Sequence, residues 1–140
     1  MSEQNKALVR RLIEEVWSRG NFAVVGKLVA CDYVGHSDTE THGTEGYKQF
    51  FIALRGAFPD LRVEIEDQIA EGDRVLARWT ARGTHEGELW GIPPTARRGL
   101  VTGISLFRVA DRQVAECWTE ANYLGLIRQL GALPTPTPAA

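Results

Sequence analysis

Residues 61–82 read LRVEIEDQIAEGDRVLARWTAR, and here the spacing of apolar side chains changes from helical to alternating. Leu61, Val63, Ile65 and Ile69 share one face of an extended chain, while Arg62, Glu64, Glu66 and Gln68 share the other, which describes a strand with one solvated side. Asp67 falls on the apolar face and is read either as a local bulge or as a pocket carboxylate. Glu71-Gly72-Asp73 forms a turn, and Val75, Ala77, Trp79 and Ala81 then alternate with Leu76, Arg78, Thr80 and Arg82 in a second strand. The two strands make an antiparallel hairpin.

Upstream of Pro59 the period is helical. Leu8, Leu12 and Val16 stand at i, i+4 and i+8, with Val9, Ile13 and Trp17 widening the stripe. Ser2 is placed to cap this helix and Gly20 to end it; Asn21 is expected to cap a second helix through Phe22, Val25, Leu28 and Val29. Residues 32–43 are polar and read as a loop. Thr44 then caps a third helix carrying Tyr47, Phe50, Phe51 and Leu54, closed by Phe58-Pro59-Asp60. Downstream, the breaker-rich segment 83–99 leads to a strand at 100–109, a turn at 110–113 and a strand at 114–122. Residues 123–130 suit a short helix or a strand extension. Pro134, Pro136 and Pro138 cannot pair in a sheet, so 134–140 is expected to be a mobile tail after a single domain spanning 1–133. Helices followed by antiparallel strands give an α+β plan, in which a curled sheet buries its concave face under the helices.

At 140 residues the chain is long enough for one real core. A net charge of −2 gives no electrostatic reason to expect a nucleic acid partner. Cys31 and Cys117 are in no metal-type spacing and read as buried free thiols of a reducing compartment. No signal-like h-region and no apolar run of about 18 residues occurs, so a cytoplasmic protein is expected, with no membrane partner. His36, His42 and His85 lack paired ligand spacing, so no metal site is expected. Phosphate-binding glycine loops and serine- or thiol-nucleophile motifs are absent.

Residues 114–122, VAECWTEAN, carry the chemistry. Strict alternation puts Glu116, Trp118, Glu120 and Asn122 on one face. If that face lines a closed pocket, it supplies a desolvated base beside an aromatic wall. His36, in the loop after the second helix, carries an imidazole and is a further candidate acid or base, whereas His85 is better suited to fixing its hairpin than to binding substrate. The indoles of Trp17, Trp79, Trp90 and Trp118 suit a polycyclic or terpenoid ligand, with Trp79 and Trp118 expected to point the same way and Trp90 to act as a lid. Arg78 and Arg82 lie opposite Trp79 and read as surface or subunit-contact residues.

The series NKALVRRLIEEVW (5–17), CDYVGHS (31–37), AFPDLRVEIEDQIAEGDRVLARWTARGTH (57–85), GIPPT (91–95), GISLFRV (103–109) and IRQLGALP (127–134) resembles the SnoaL-like polyketide cyclases of the NTF2-like superfamily. The resemblance implies a cone-shaped α+β barrel, N-terminal helices closing a hydrophobic cavity against a strongly curved mixed or antiparallel sheet. It implies a homodimer or higher oligomer, no cofactor, and a small polyketide-, steroid- or terpenoid-like ligand. The chemistry implied is cyclisation or isomerisation by proton abstraction α to a carbonyl. On that expectation Glu120 or His36 is the base, Asn122 polarises the carbonyl, and Trp118, Trp79, Tyr33 and Phe51, with Trp17 and Trp90, wall the cavity. The family's base is an Asp four residues after the tryptophan that matches Trp118, and this chain has Asn122 there. An amide accepts no proton near neutral pH, so a non-catalytic carrier is the alternative. A limonene-epoxide-hydrolase-like hydrolase is a third reading, which the outward parity of Arg78 and Arg82 disfavours.

Overall fold

A computed structural model describes residues 2–132. The expected tail at 134–140, and with it the boundary at 133, lies outside the described residues. Helix α1 (Ser2–Leu12) runs into a π-helical turn, Ile13–Ser18, that buries Ile13, Val16 and Trp17. Gly20 ends it in the left-handed region (φ +71), its amide reaching Val16 O at 3.0 Å.

The second helix is much shorter than its apolar spacing suggests. Asn21 makes no side-chain cap; a 3-10 turn (Phe22–Val24) and a four-residue helix α2 (Val25–Leu28) give way at Val29 to strand β1 (Val29–His36). The segment read as a loop is therefore mostly sheet. Strand β2 (Glu40–His42) folds back on β1 antiparallel, and Val34, Gly35 and His36 pair in parallel with Glu116, Cys117 and Trp118. Pairing to a distant strand compensates a polar sequence with no apolar alternation of its own. Helix α3 (Gly43–Ala57) starts two residues earlier than a Thr44 cap implies, with His42 at the N-cap position and no capping side chain, so Thr44 does not cap it.

Strands β3 (Arg62–Glu71), β4 (Arg74–Thr84), β5 (Arg98–Ala110) and β6 (Gln113–Ala121) follow, then helix α4 (Tyr123–Gln129). They form one six-stranded mixed sheet in the order β2-β1-β6-β5-β4-β3, antiparallel except for β1 against β6. The concave face packs on α1, the π turn and α3, and no helix among the described residues is long and apolar enough to cross a membrane.

Two bulges decide which side chains face inward. In β3, Ile65 pairs with Trp79 and Asp67 with Arg78, so Glu66 is the extra residue. Asp67 is thus turned outward, where Arg78 Nη2 donates to Oδ2 at 3.0 Å. The inversion also sends Ile69 out, at 65% exposure, against its expected burial. In β6, Val109 pairs with Val114 and Arg108 with Glu116, leaving Ala115 as the extra residue. Val114 and Ala115 are both buried; beyond them the inward set is Cys117, Thr119 and Ala121, opposite Phe107, Ser105 and Gly103 of β5.

Outside the sheet, Glu116 ties three strands together. Its Oε1 accepts from Arg108 Nε (3.1 Å) and its Oε2 pairs with His36 Nε2 (2.7 Å). The His36 hydrogen bond, and then Arg108, hold the Glu116 carboxyl below the ordinary glutamate range. A depressed native value contributes stability above the ordinary range and loses it as pH falls through the native one. Glu116→Gln should therefore destabilise the fold to urea at neutral pH, and its deficit against wild type should shrink once pH drops below about 4; a deficit independent of pH would exclude the network. Inside, the Trp79 indole lies flat across Gly103, so that a methyl there would collide with the ring. Gly103→Ala should cost about 1–3 kcal/mol in urea unfolding; unchanged stability would mean that the indole packs elsewhere.

Candidate functional site

Between the concave face and helix α3 lies a cavity with aromatic walls. Trp17 comes from the π turn, Tyr47, Phe51 and Leu54 from one stripe of α3, and Trp79, Val63 and Val101 from the sheet. The rings fix one another: Trp17 stacks on Phe51 at 5.2 Å and meets Trp79 edge-on at 5.7 Å, and Tyr33 meets Tyr47 edge-on at 5.1 Å. Ser37, Thr41, Trp90 and Tyr123 ring the mouth. Trp90 is half-exposed, adopts φ +50 and rests edge-on against Tyr123 at 5.3 Å.

Polar atoms in the wall form short relays of neutral groups. Trp79 Nε1 donates to Ser105 Oγ (3.0 Å), Ser105 Oγ bonds Thr119 Oγ1 (2.8 Å), and Thr119 Oγ1 lies 3.5 Å from Cys117 Sγ. The Cys117 thiol is buried beside the Tyr33 hydroxyl, whereas Cys31 is exposed against its expected burial. Tyr47 Oη accepts the Trp17 indole N–H. Burial pushes the Cys117 thiol up to about 11 and, as the largest influence, drives both the Tyr33 and the Tyr47 phenols well above their usual value. All three are protonated at neutral pH. No carboxylate among the described residues lines the cavity, and Arg82 borders it from the exposed outer parity, so the space between the rings offers donors and apolar surface.

Tyr33, Phe51, Trp17, Trp79 and Trp90 line the cavity. Trp118, Glu120 and Asn122 do not. The Ala115 bulge turns Trp118 and Glu120 to the outer face, where they border a shallow groove, and Trp118 looks away from Trp79 because Trp79 aligns through Gly103 with Ala121. Arg74 stands over the Trp118 ring, 5.4 Å from its centroid. Asn122 is exposed, and its Oδ1 accepts the Gly125 amide at 2.9 Å as the N-cap of α4. His36 reaches the rim, but its ring follows the outer parity: it stacks on Trp118 at 5.3 Å and bonds Glu116. The expected row of base, indole and amide inside the chamber is not there.

His42 is exposed and bonded to Glu40. His85 is completely buried beside Phe58, and Thr95 holds its Nδ1 through both its amide (3.3 Å) and its hydroxyl (3.0 Å), which fixes the 86–97 loop as the sequence suggested. Arg78 and Arg82 are exposed on the outer parity; Arg82 borders the cavity, but no carboxylate among the described residues does, so no acid-arginine-acid cluster lines it. Sequence reasoning passed over Tyr47, Cys117, Thr119 and Ser105. Tyr47 was legible as a member of the α3 stripe with Phe51 and Leu54, and the small residues Cys117, Thr119 and Ala121 opposite Gly103 are what a strand beside a void needs.

Comparisons with known proteins agree with this architecture. A family model for SnoaL-like polyketide cyclases matches residues 7–130. The chain is 31% identical over 136 residues to the aklanonic acid methyl ester cyclase DnrD of Streptomyces peucetius, covering 94% of this chain and 92% of that protein. It is also 31% identical over 90 residues to the nogalonic acid methyl ester cyclase of Streptomyces nogalater, covering 64% and 67%. Among solved structures, AclR of Streptomyces galilaeus, described as a candidate hydroxylase, superposes with a TM-score of 0.86 at 30% identity over 98% of this chain and 87% of that one. TsrD of Streptomyces laurentii does so at 0.86 and 29%, over 94% and 97%. With the curled sheet, the helical lid and the aromatic chamber in place, these matches establish that the chain belongs to the SnoaL-like polyketide cyclase family.

Proposed function

We propose that this protein binds an uncharged aromatic polyketide ester and closes a ring on it by intramolecular aldol condensation, stabilising the enolate with neutral donors. The observation that carries the reading is the lining itself: stacked aromatic walls, protonated hydroxyls and no carboxylate, with Arg82, exposed and on the outer parity, the one permanently charged residue at its border among the described residues. A methylene flanked by two carbonyls is already acidic, so holding its enolate oxygen in a dry, donor-lined chamber removes much of the barrier without a carboxylate base. The proton leaves the methylene for solvent at the mouth, the enolate carbon attacks the ketone carbon to form the new C–C bond, and the resulting alkoxide is reprotonated. Arg82 and His36 border the cavity but follow the outer parity, so a ligand carboxylate buried among the rings would lack a paired cation, which favours an ester over its free acid.

One observation favours the carrier alternative: Asn122 is committed to capping α4, so the position that carries the family's Asp supplies nothing to the cavity. A second copy of the chain would fit the outer face, where Ile69, Leu76, Leu106 and Trp118 form one cross-strand row; sedimentation distinguishes that dimer from a monomer.

Aklanonic acid methyl ester, the substrate in the name of a relative, is the direct probe. Wild-type protein should convert it, and the free acid should bind about tenfold or more weakly. Tight binding of the ester without turnover would replace the cyclase by the carrier, and equal binding of ester and acid would contradict the uncharged site. Glu120→Gln and His36→Gln, both on the outer face, should leave turnover within about twofold. A loss of the 10²–10⁴ characteristic of a general base in either variant would restore that residue to the chemistry.

A further inference from the structure

The geometry points to a two-phenol oxyanion site, Tyr33 and Tyr47, that takes the enolate oxygen of the substrate, with Gly35 as the positioning residue that lets the Tyr33 hydroxyl reach it. This rests on the cyclase reading above and names the donors that reading requires.

Each phenol has a proton to give. Tyr47 Oη accepts the Trp17 indole N–H, and an indole N–H only donates. The Tyr47 O–H must then find its acceptor elsewhere, and among the described residues no hydrogen bond takes it. The Tyr33 hydroxyl lies beside the Cys117 thiol, a weak acceptor that a carbonyl or enolate oxygen readily replaces. Both rings line the cavity, both are held edge to face at 5.1 Å, and Tyr47 is further pinned against Phe51 at 5.0 Å. Burial keeps both phenols protonated, so neither becomes a phenolate that would repel an oxyanion.

Gly35 explains how Tyr33 gets there. Tyr33 and Gly35 are i and i+2 on the inward side of β1, and the Tyr33 ring folds along the strand over Gly35 toward Cys117, the cross-strand partner of Gly35. A Cβ at position 35 would stand 2.6 Å from Tyr33 Oη and 3.1 Å from Cε2 and Cζ. The ring cannot retreat far, because Tyr47 closes the other side. Gly35→Ala therefore evicts the hydroxyl, and in a Tyr33→Phe background the nearest ring atoms stand at 3.1 Å because the oxygen is gone.

The test uses 2-naphthol, whose naphtholate mimics a fused-ring enolate and is distinguished from the neutral form by absorbance. In the wild type, the bound probe should ionise at lower pH than in water. Tyr33→Phe and Tyr47→Phe should each raise that bound ionisation by about one pH unit, a tenfold loss of preference for the oxyanion. Gly35→Ala should match Tyr33→Phe, and should add nothing in the Tyr33→Phe background, whereas a purely structural glycine would cost the same in both. If Gly35→Ala fails to fold, the two phenylalanine variants carry the decision. A wild type that leaves 2-naphthol unbound or ionising as in water, or phenylalanine variants without effect, would overturn the proposal. The probe needs no carbon acid, so this outcome is independent of whether the methyl ester is turned over.

Discussion

One extra residue in β6 governs the interior of this protein. Because Ala115 has no partner on β5, Val109 meets Val114 on one side of it and Arg108 meets Glu116 on the other, and alternation restarts with the opposite sign. Without that residue the chamber would receive Glu116, Trp118 and Glu120, two charges and an indole. With it, the chamber receives Cys117, Thr119 and Ala121, whose small volumes leave room for a ligand. The excluded carboxylate Glu116 is bound instead by His36 and Arg108 on the outside, where partial solvation and paired charge keep it ionised at little cost.

The chemical consequences follow from that exclusion. A chamber lined by phenols, a thiol and hydroxyls, with no carboxylate among the described residues, has hydrogen-bond donors and no base of its own. Under the proposed cyclisation such a lining would desolvate an uncharged ester cheaply and meet negative charge only where it develops, the arrangement that differentiates a transition state from its ground state. Trp79 links packing to this chemistry: its ring fills the space above Gly103 while its N–H anchors the Ser105–Thr119 relay.

Much of the fold was legible in the sequence because long periodic segments are strongly constrained. The Leu8–Trp17 stripe, the Tyr47–Leu54 stripe and the β3–β4 hairpin follow from burial of one face, and the turn at 71–73 lies where the glycine required it. The β1 strand was not legible, since Tyr33 to His36 owe their extended form to pairing with a strand some eighty residues away. The site was half legible for a related reason. Aromatic size identified Trp17, Tyr33, Phe51, Trp79 and Trp90 as walls, but period-two reasoning cannot sense a single inserted residue, and each of the two bulges inverted every assignment beyond it. Ile69 and Trp118 were misplaced by the same mechanism in two different strands.

The parity of β6 is open to a direct measurement: intermolecular nuclear Overhauser effects from the ring protons of bound 2-naphthol to assigned protein side chains. Cross-peaks to the Thr119 methyl, the Tyr33 ring and the Phe51 ring, with none to the Trp118 indole, are what an inward Cys117–Thr119 face produces. Cross-peaks to Trp118 in place of Thr119 would show that the strand presents its other face to the ligand, and the account of an uncharged, donor-lined chamber would fail with it.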